Sequence, residues 1–224
     1  MIEIVQTADG SNTLYNSEVG ENYHSRNGAL QESRHVFINT GLQYFLDRNS
    51  VVADVSILEV GFGTGLNFLL SADCCRSRQV RLNYTGIEAY PVGLDMLVAM
   101  GYDQYVSADV WERFMAVYPD SLLNAVVLND YCQLQIAHSK LADFQSARQY
   151  DIIYFDAFAS ARQPEMWDEA AIAHTIQFLK PGGVFVTYAI TGNLKRAVKA
   201  LGCKVEKVPG AAGKREMLRA VKIV

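Results

Sequence analysis

The chain has 224 residues and a formal net charge of −4, with 50% apolar, 20% charged and 11% aromatic residues. That balance excludes a disordered chain, a collagen-like repeat and a small disulfide-stapled fold, and the length suits one domain or one domain with a small extension. No apolar run approaches the ~20 residues needed to span a bilayer. The start, MIEIVQTADG, has neither the basic segment nor the apolar stretch of a secretory signal. Cys74, Cys75, Cys132 and Cys203 match neither a disulfide framework nor a zinc site. These features predict a cytoplasmic protein with no metal and no membrane contact.

In chain order, Ile2–Thr7 reads as a strand, Asp9-Gly10 as a hairpin signal, and Thr13-Leu14-Tyr15 as the return strand. Gly20 to Gly28 is loop-like. Residues 29–48 space Leu30, Val36, Phe37, Leu42, Phe45 and Leu46 as on an amphipathic helix. Residues 1–49 therefore form an expected N-terminal extension, and 50–224 the main domain. Ser56–Val60 begins an alternation of strands and helices. A helix spans Leu66–Cys75, a strand Val80–Glu88, and a second helix starts with Pro91 in its first turn and runs to Met100. Residues 107–118 are helical, Cys132–Ala137 and Asp151–Phe155 are strands, and 165–179 are helical. Lys180-Pro181-Gly182-Gly183 ends that helix, Val184–Ala189 is a strand, and 193–201 are helical. Lys204–Val208 and Glu216–Val224 form a closing antiparallel pair. The pattern predicts an α/β fold, with a mostly parallel sheet covered on both faces and one antiparallel C-terminal element at its edge.

The charge is unevenly placed. Lys180–Val224 holds ten Lys and Arg against Glu206 and Glu216, whereas the first 179 residues hold 22 acids against ten bases. A basic end of this kind is a candidate polyanion-binding face, or else a solvated surface whose charges balance acidic neighbours.

The first buried strand runs into Glu59-Val60-Gly61-Phe62-Gly63-Thr64-Gly65. Such a turn brings backbone close to a ligand at the switch point of a doubly wound sheet. The spacing is G-x-G-x-G, not the G-x-G-x-x-G of dinucleotide folds. Glu59, two residues ahead, suits a cation such as the ammonium or sulfonium of S-adenosylmethionine. Without a ligand, the same residues would simply make a tight strand-to-helix turn. Glu88 ends the second strand, where an acid can accept hydrogen bonds from two ribose hydroxyls or be merely solvated. With the Pro181–Gly183 turn, these marks resemble class I S-adenosylmethionine-dependent methyltransferases over residues 50–224. That resemblance places Asp156, at the end of the Tyr150–Phe155 strand, opposite the acceptor. Phe158, Met166 and Trp167 would then wall a pocket, although Met166 and Trp167 equally suit the core.

Five further blocks narrow the family: Asn27–Phe37, Glu59–Leu69, Phe155–Ala159, Pro164–Trp167 and Gly213–Leu218. In order and spacing they resemble the methyltransferases of tRNA 5-methylaminomethyl-2-thiouridine synthesis, the MnmD type, equivalent to the N-terminal half of bifunctional MnmC. The resemblance implies methylation of the aminomethyl nitrogen of a wobble uridine, with S-adenosylmethionine as methyl donor. It places Glu59, Gly61, Phe62, Gly63, Thr64, Gly65, Asn67, Glu88, Ser139 and Asp156 around the cofactor, Asp156 also being the catalytic candidate. Family members often carry an acid after the fourth strand. Here that stretch reads Ile136-Ala137-His138-Ser139-Lys140-Leu141, so Ser139 or a backbone group would meet the adenine, and His138 reads as a loop residue. For tRNA the candidates are Tyr23, Arg34, Phe158, Trp167, Lys195, Arg196, Lys214 and Arg215, with Lys199 extending the track. The FAD-dependent oxidase half is expected to be absent. A separate oxidase, or the upstream wobble-uridine enzymes, would then be partners that supply the substrate. Competing expectations are a methyltransferase of small-molecule or protein amines, a non-catalytic scaffold of the same fold and, least, a nicotinamide oxidoreductase.

Overall fold

The computed structural model describes residues 1–49 and 51–223. Ser50, at the expected domain boundary, and Val224, at the end of the expected last strand, lie outside them. The fold is an eight-stranded sheet with helices on both faces and a small three-stranded sheet at the N-terminus. The small sheet is β1 (Ile2–Gln6), β2 (Asn12–Asn16) and β3 (Glu21–Asn22), all antiparallel. Its first turn does more than reverse the chain. Thr7 Oγ1, Ser11 Oγ and Asp9 Oδ2 accept the N–H groups of Ala29, Leu30 and Gln31, at 3.3, 3.1 and 2.9 Å. These are orphan donors at the start of helix α1 (Ala29–Ser33), so the hairpin serves as that helix's cap.

From α1 the helix continues through a π-wound stretch, Arg34–Gln43, into α2 (Tyr44–Arg48). The expected helix over 29–48 is present, but its middle is wider than an α-helix. Thr40 Oγ1 donates to the carbonyl of His35, five residues back, at 2.8 Å. In this stretch a Cβ on Gly41 would lie 3.0 Å from Val186 and 3.1 Å from Tyr154, so the glycine lets the helix lie close on the sheet.

The large sheet contains β4 (Asp54–Val60), β5 (Arg81–Glu88), β6 (Val126–Asn129), β7 (Cys132–His138), β8 (Tyr150–Phe155), β9 (Leu179–Thr187), β10 (Cys203–Pro209) and β11 (Glu216–Lys222), in the order β10-β11-β9-β8-β4-β5-β7-β6. The five central strands are parallel, and β11, β10 and β6 are antiparallel to their neighbours. The sheet is covered by α3 (Leu66–Ser77), α4 (Leu94–Ala99), α5 (Ala108–Ser121), α6 (Glu169–Ile176) and α7 (Gly192–Ala200). Chain order reverses between β4 and β8, and their C-terminal ends are where such a sheet opens to a ligand. One buried cluster runs from Leu14 and Val36 through Ile57, Phe68 and Tyr84, and a second fills the other face around Ile153, Phe185 and Leu218.

Several elements differ from expectation. Pro91 is not in the first turn of α4, which starts at Leu94 behind Gly93. The helix expected over 165–179 is a short 3₁₀ turn, Pro164–Met166, followed by α6. Asp168 accepts the Ala171 N–H at 2.7 Å and so fixes the later start. The Lys180–Gly183 turn is not a break before a strand. It is a bulge inside β9, which already pairs at Leu179 and rejoins β8 at Val184. The edge strand β6 was not expected at all.

Candidate active site

At the end of β4, Gly61, Gly63 and Gly65 have φ of +85°, +53° and +74°, which L side chains rarely adopt. The N–H groups of Gly61, Phe62, Gly63 and Gly65 are already used. Gly61 and Phe62 both donate to Ile87 O at 3.1 Å, and Gly65 donates to Phe62 O at 3.0 Å. Gly63 donates to Glu88 Oε2 at 2.8 Å, while Tyr90 N–H takes Glu88 Oε1 at 2.9 Å. A pyrophosphate would need those donors bare, so the geometry opposes a nicotinamide reading. Glu88 is fixed from below by two backbone donors, and its carboxylate keeps lone pairs for further donors.

Phe62 and Thr64 turn inward. Phe62 is a buried wedge among Phe68, Tyr84 and Phe114, and Thr64 Oγ1 lies 3.2 Å from Tyr102 OH. Their side chains therefore shape the turn from behind, and their expected place around the cofactor falls to their backbone.

Beneath the turn, Asn67 ties two acids together. Its Nδ2 donates to Glu59 Oε1 at 2.8 Å and to Asp156 Oδ2 at 2.9 Å. Tyr84 OH donates to Glu59 Oε2 at 2.8 Å. Burial, then the neighbouring Asp156, holds the Glu59 carboxyl well above its usual range. Burial, reinforced by the Glu32 charge, pushes Asp156 up to about 8. Two carboxyls that resist ionisation, joined by one amide, form a cup that a cation would satisfy.

Among the described residues, Asn67 Oδ1 and Ser139 Oγ are buried here without a hydrogen-bond partner. Ser139 follows β7, and its N–H reaches Glu88 O at 3.2 Å, so its orphan hydroxyl borders Glu88. A buried unpaired hydroxyl is costly and is explained by a ligand that supplies a partner. The acid pair, the Glu88 carboxylate, the glycine turn and this hydroxyl fit the cationic methionine, ribose and base of S-adenosyl-L-methionine.

Across the opening, Tyr23 lies over the turn. A Cβ on Gly63 would come within 3.1 Å of its ring, and the ring meets Phe158 edge-on with centroids 5.1 Å apart. Tyr23 was expected to touch RNA; its ring instead packs against the cofactor turn and the β8 loop. Burial, then nearby Glu88, pushes its hydroxyl up to about 12. Glu21 Oε2 accepts the Ala159 N–H at 3.0 Å, which ties the flap to the loop after β8. Trp167 Nε1 donates to Phe158 O at 2.7 Å, and its ring packs between Phe155 and Tyr188. Trp167 thus braces the Phe158 loop, and Met166 packs partly buried beside it.

The basic C-terminal end does not form one free cationic face. Lys180, Lys207 and Arg219 pair with Asp151, Glu216 and Glu206. Lys222 donates to the carbonyls of Ile176 and Leu179 near the end of α6. Lys214, expected on RNA phosphate, sits 2.8 Å from the buried Glu32 and 3.8 Å over the Tyr188 ring. Arg34, Arg196, Lys199 and Arg215 are exposed, and Lys195 is half-buried. Among the described residues no group of three metal-ligating side chains is found, and no helix is long and apolar enough to cross a membrane.

The parallel sheet with its reversal at β4/β8, the glycine turn and the paired acids define a class I S-adenosyl-L-methionine-dependent methyltransferase. Residues 106–223 match the family model described as S-adenosyl-L-methionine-dependent methyltransferase, and the chain belongs to that family; its cofactor is S-adenosyl-L-methionine. Among curated proteins it is similar to the tRNA 5-methylaminomethyl-2-thiouridine biosynthesis bifunctional protein MnmC of Aromatoleum aromaticum, at 30% identity over 95% of this chain and 34% of that protein. The MnmC of Methylobacillus flagellatus is 29% identical over 91% of this chain and 33% of its own length. The chain thus spans about a third of the length of these relatives. The crystal structure of MNMC2 from Aquifex aeolicus superposes with a TM-score of 0.78 at 21% identity, covering 98% of this chain and 70% of that one. The S-adenosylmethionine-bound magnesium protoporphyrin IX methyltransferase of Synechocystis gives 0.53 at 12% identity, over 88% and 81%. Both likenesses concern the fold.

Proposed function

We propose that the protein methylates the aminomethyl nitrogen of 5-aminomethyl-2-thiouridine at the tRNA wobble position. The observation that carries this reading is the Asp156 carboxyl, held by Asn67 at the end of β8, two residues before Phe158, whose ring meets Tyr23 edge-on. The site offers an acid to an amine beside a loop braced by aromatic side chains. The relatives' name supplies the nucleoside, since a methylamino group in the product calls for methyl transfer to an amine.

When bound, S-adenosyl-L-methionine supplies a methyl group on a positively charged sulfur. Asn67 fixes one oxygen of Asp156, which leaves the other to orient the amine lone pair. As nitrogen gains positive charge, a fixed carboxylate stabilises it. Phe158 and Trp167 keep water away and so disfavour an already protonated amine.

Glu88 is the proposed ribose ligand. Glu88→Ala should weaken S-adenosyl-L-methionine binding by about tenfold to a hundredfold, the worth of charge-assisted hydrogen bonds, as read by calorimetry. An unchanged affinity would put the ribose elsewhere.

For tRNA, the exposed Arg34 and Arg215 remain candidates. A recess of about 280 Å³ lined by Gly20, Glu21, Asn22, Arg26 and Arg162 adds two arginines that the sequence reading did not single out. It lies where Glu21 joins the flap to the loop after β8. Arg34→Glu with Arg215→Glu should raise KM for tRNA and reduce the slope of log KM against log salt by about 2, roughly one per lost phosphate contact. Cofactor affinity should not change. An unchanged slope moves the RNA to another face. The overall reading is tested by labelled-methyl transfer to tRNA from cells lacking the modification, followed by nucleoside analysis. Label on free amines or protein but not on tRNA would replace it.

A further inference from the structure

Lys214 lies in the loop from β10 to β11, and its surroundings are not those of a surface phosphate ligand. Its ammonium is 2.8 Å from Glu32 Oε1 and 3.8 Å above the Tyr188 ring. Glu32 is 5% exposed, and its other oxygen accepts the Ser25 N–H at 2.7 Å. Tyr188 OH donates to Ala157 O at 2.8 Å, one residue beyond Asp156. The loop around Lys214 is pinned in place: Asn27 Nδ2 donates to Ala212 O at 3.0 Å, and Gln31 Oε1 accepts the Ala212 N–H at 3.3 Å. A lysine paired with a buried acid, stacked on an aromatic ring and fixed by its backbone is committed to this place.

Asp156 is surrounded by acids. Glu32 comes from α1, Glu59 from β4, and Glu88 from β5 next to Glu59; Tyr84 of β5 bonds Glu59, and Tyr188 past β9 has Glu21 near it. Lys214 is the cation in this set, and it favours the ionised form of Asp156. Without it, Asp156 and an arriving amine would face Glu32 uncompensated.

We propose that Lys214 is a positioning residue of the methyl-transfer site: its ammonium offsets the Glu32 charge beside Asp156, and so favours the carboxylate form of Asp156 and the neutral form of the acceptor amine when they meet. The inference rests on the reading that Asp156 faces the acceptor. It resolves a conflict in that reading, because a carboxylate alone would favour the protonated, unreactive amine. A nearby ammonium disfavours a second positive charge and favours the carboxylate, so both protonation equilibria move in the productive direction.

The test compares Lys214→Met, Lys214→Arg and Glu32→Gln. Loss of the Lys214 charge makes both Asp156 and the amine easier to protonate, so the acid limb of kcat/KM should move up by about one pH unit. Lys214→Arg should restore its position. Glu32→Gln removes a negative charge and should move the limb the opposite way, although it breaks the same ion pair. Calorimetry of S-adenosyl-L-methionine binding against pH should show matching shifts, because an ionised Asp156 favours a cationic ligand. That readout needs no acceptor: shifted binding limbs without tRNA methylation would sink the proposed substrate and leave this inference standing. If Lys214→Met and Glu32→Gln lose activity alike with unmoved limbs, Lys214 is only a latch between the N-terminal helix and the C-terminal hairpin. If Lys214→Met changes just the salt dependence of tRNA binding, it is a phosphate ligand. Either result overturns the proposal.

Discussion

Asp156→Asn should cut methyl transfer by about a hundredfold to a thousandfold, the range for removing one preorganised charge-stabilising group, and should also make the protein more stable at neutral pH. The first effect follows from the proposed role: an amide can orient an amine but cannot offset the charge that forms on it. The second follows from the environment. Asp156 sits at about 8 in the folded chain against 3.8 for a free carboxyl, mainly because it is buried and Glu32 is near. Between those values the folded chain holds a proton that the unfolded chain has released. Stability therefore falls as pH rises from about 4 towards 8. The asparagine form removes that dependence while still accepting from Asn67 Nδ2. Denaturant unfolding at pH 5 and pH 8 should show a smaller drop for Asp156→Asn than for the parent, by on the order of 1–3 kcal/mol after allowing for solvent screening. Near-parental turnover would remove Asp156 from the chemistry. An unaltered pH dependence of stability would mean that its carboxyl is not strained as described.

Such a trade, in which a residue costs stability and supports function, is typical of groups that a sequence reveals through local pattern. The glycine turn, Glu59 and Glu88 were legible because strand, turn and helix are contiguous, and because an acid at a strand end has one obvious direction to face. Asp156 was legible in the same way. The pairing of Lys214, expected on phosphate, was not legible because its partner, Glu32, is 182 positions away, and no local pattern separates a paired lysine from a free one. The basic end failed as a single face for the same reason: Lys180, Lys207, Arg219 and Lys222 are answered by groups that only the folded sheet brings near. The hairpin that caps α1 through Thr7, Asp9 and Ser11 is another such contact across the sequence. Short elements failed for want of signal. β6 is four residues with Leu128 buried and Val127 exposed, and the π-wound stretch keeps an apolar pattern close to that of an ordinary helix.

Gly61→Ala should damage folding, cofactor affinity and turnover together, and comparison with Gly182→Ala separates the two reasons. Both glycines have positive φ, +85° and +78°, so alanine meets backbone strain of about 1–2 kcal/mol at either place. They differ in what a side chain would touch. At Gly182 nothing among the described residues lies within 4 Å, whereas at Gly61 the new Cβ would be 2.4 Å from the carbonyl oxygen of Asp156 and 3.0 Å from its carbonyl carbon. That oxygen belongs to the backbone where β8 leaves the sheet, with Asp156 N–H bonded to Val60 O at 2.9 Å. It cannot swing away as a side chain would. The two strand ends must part, and the added overpacking raises the total cost at Gly61 to about 2–5 kcal/mol. Moving the Asp156 backbone also pulls its carboxylate from Asn67 and breaks the link to Glu59. The expected result is a modest drop in melting temperature for Gly182→Ala with normal cofactor binding. Gly61→Ala should show a larger drop and weakened S-adenosyl-L-methionine binding even well below its melting point. Equal effects of the two substitutions would show that glycine is needed at Gly61 for its φ alone. The close approach of β4 and β8 would then have no part in setting the position of Asp156.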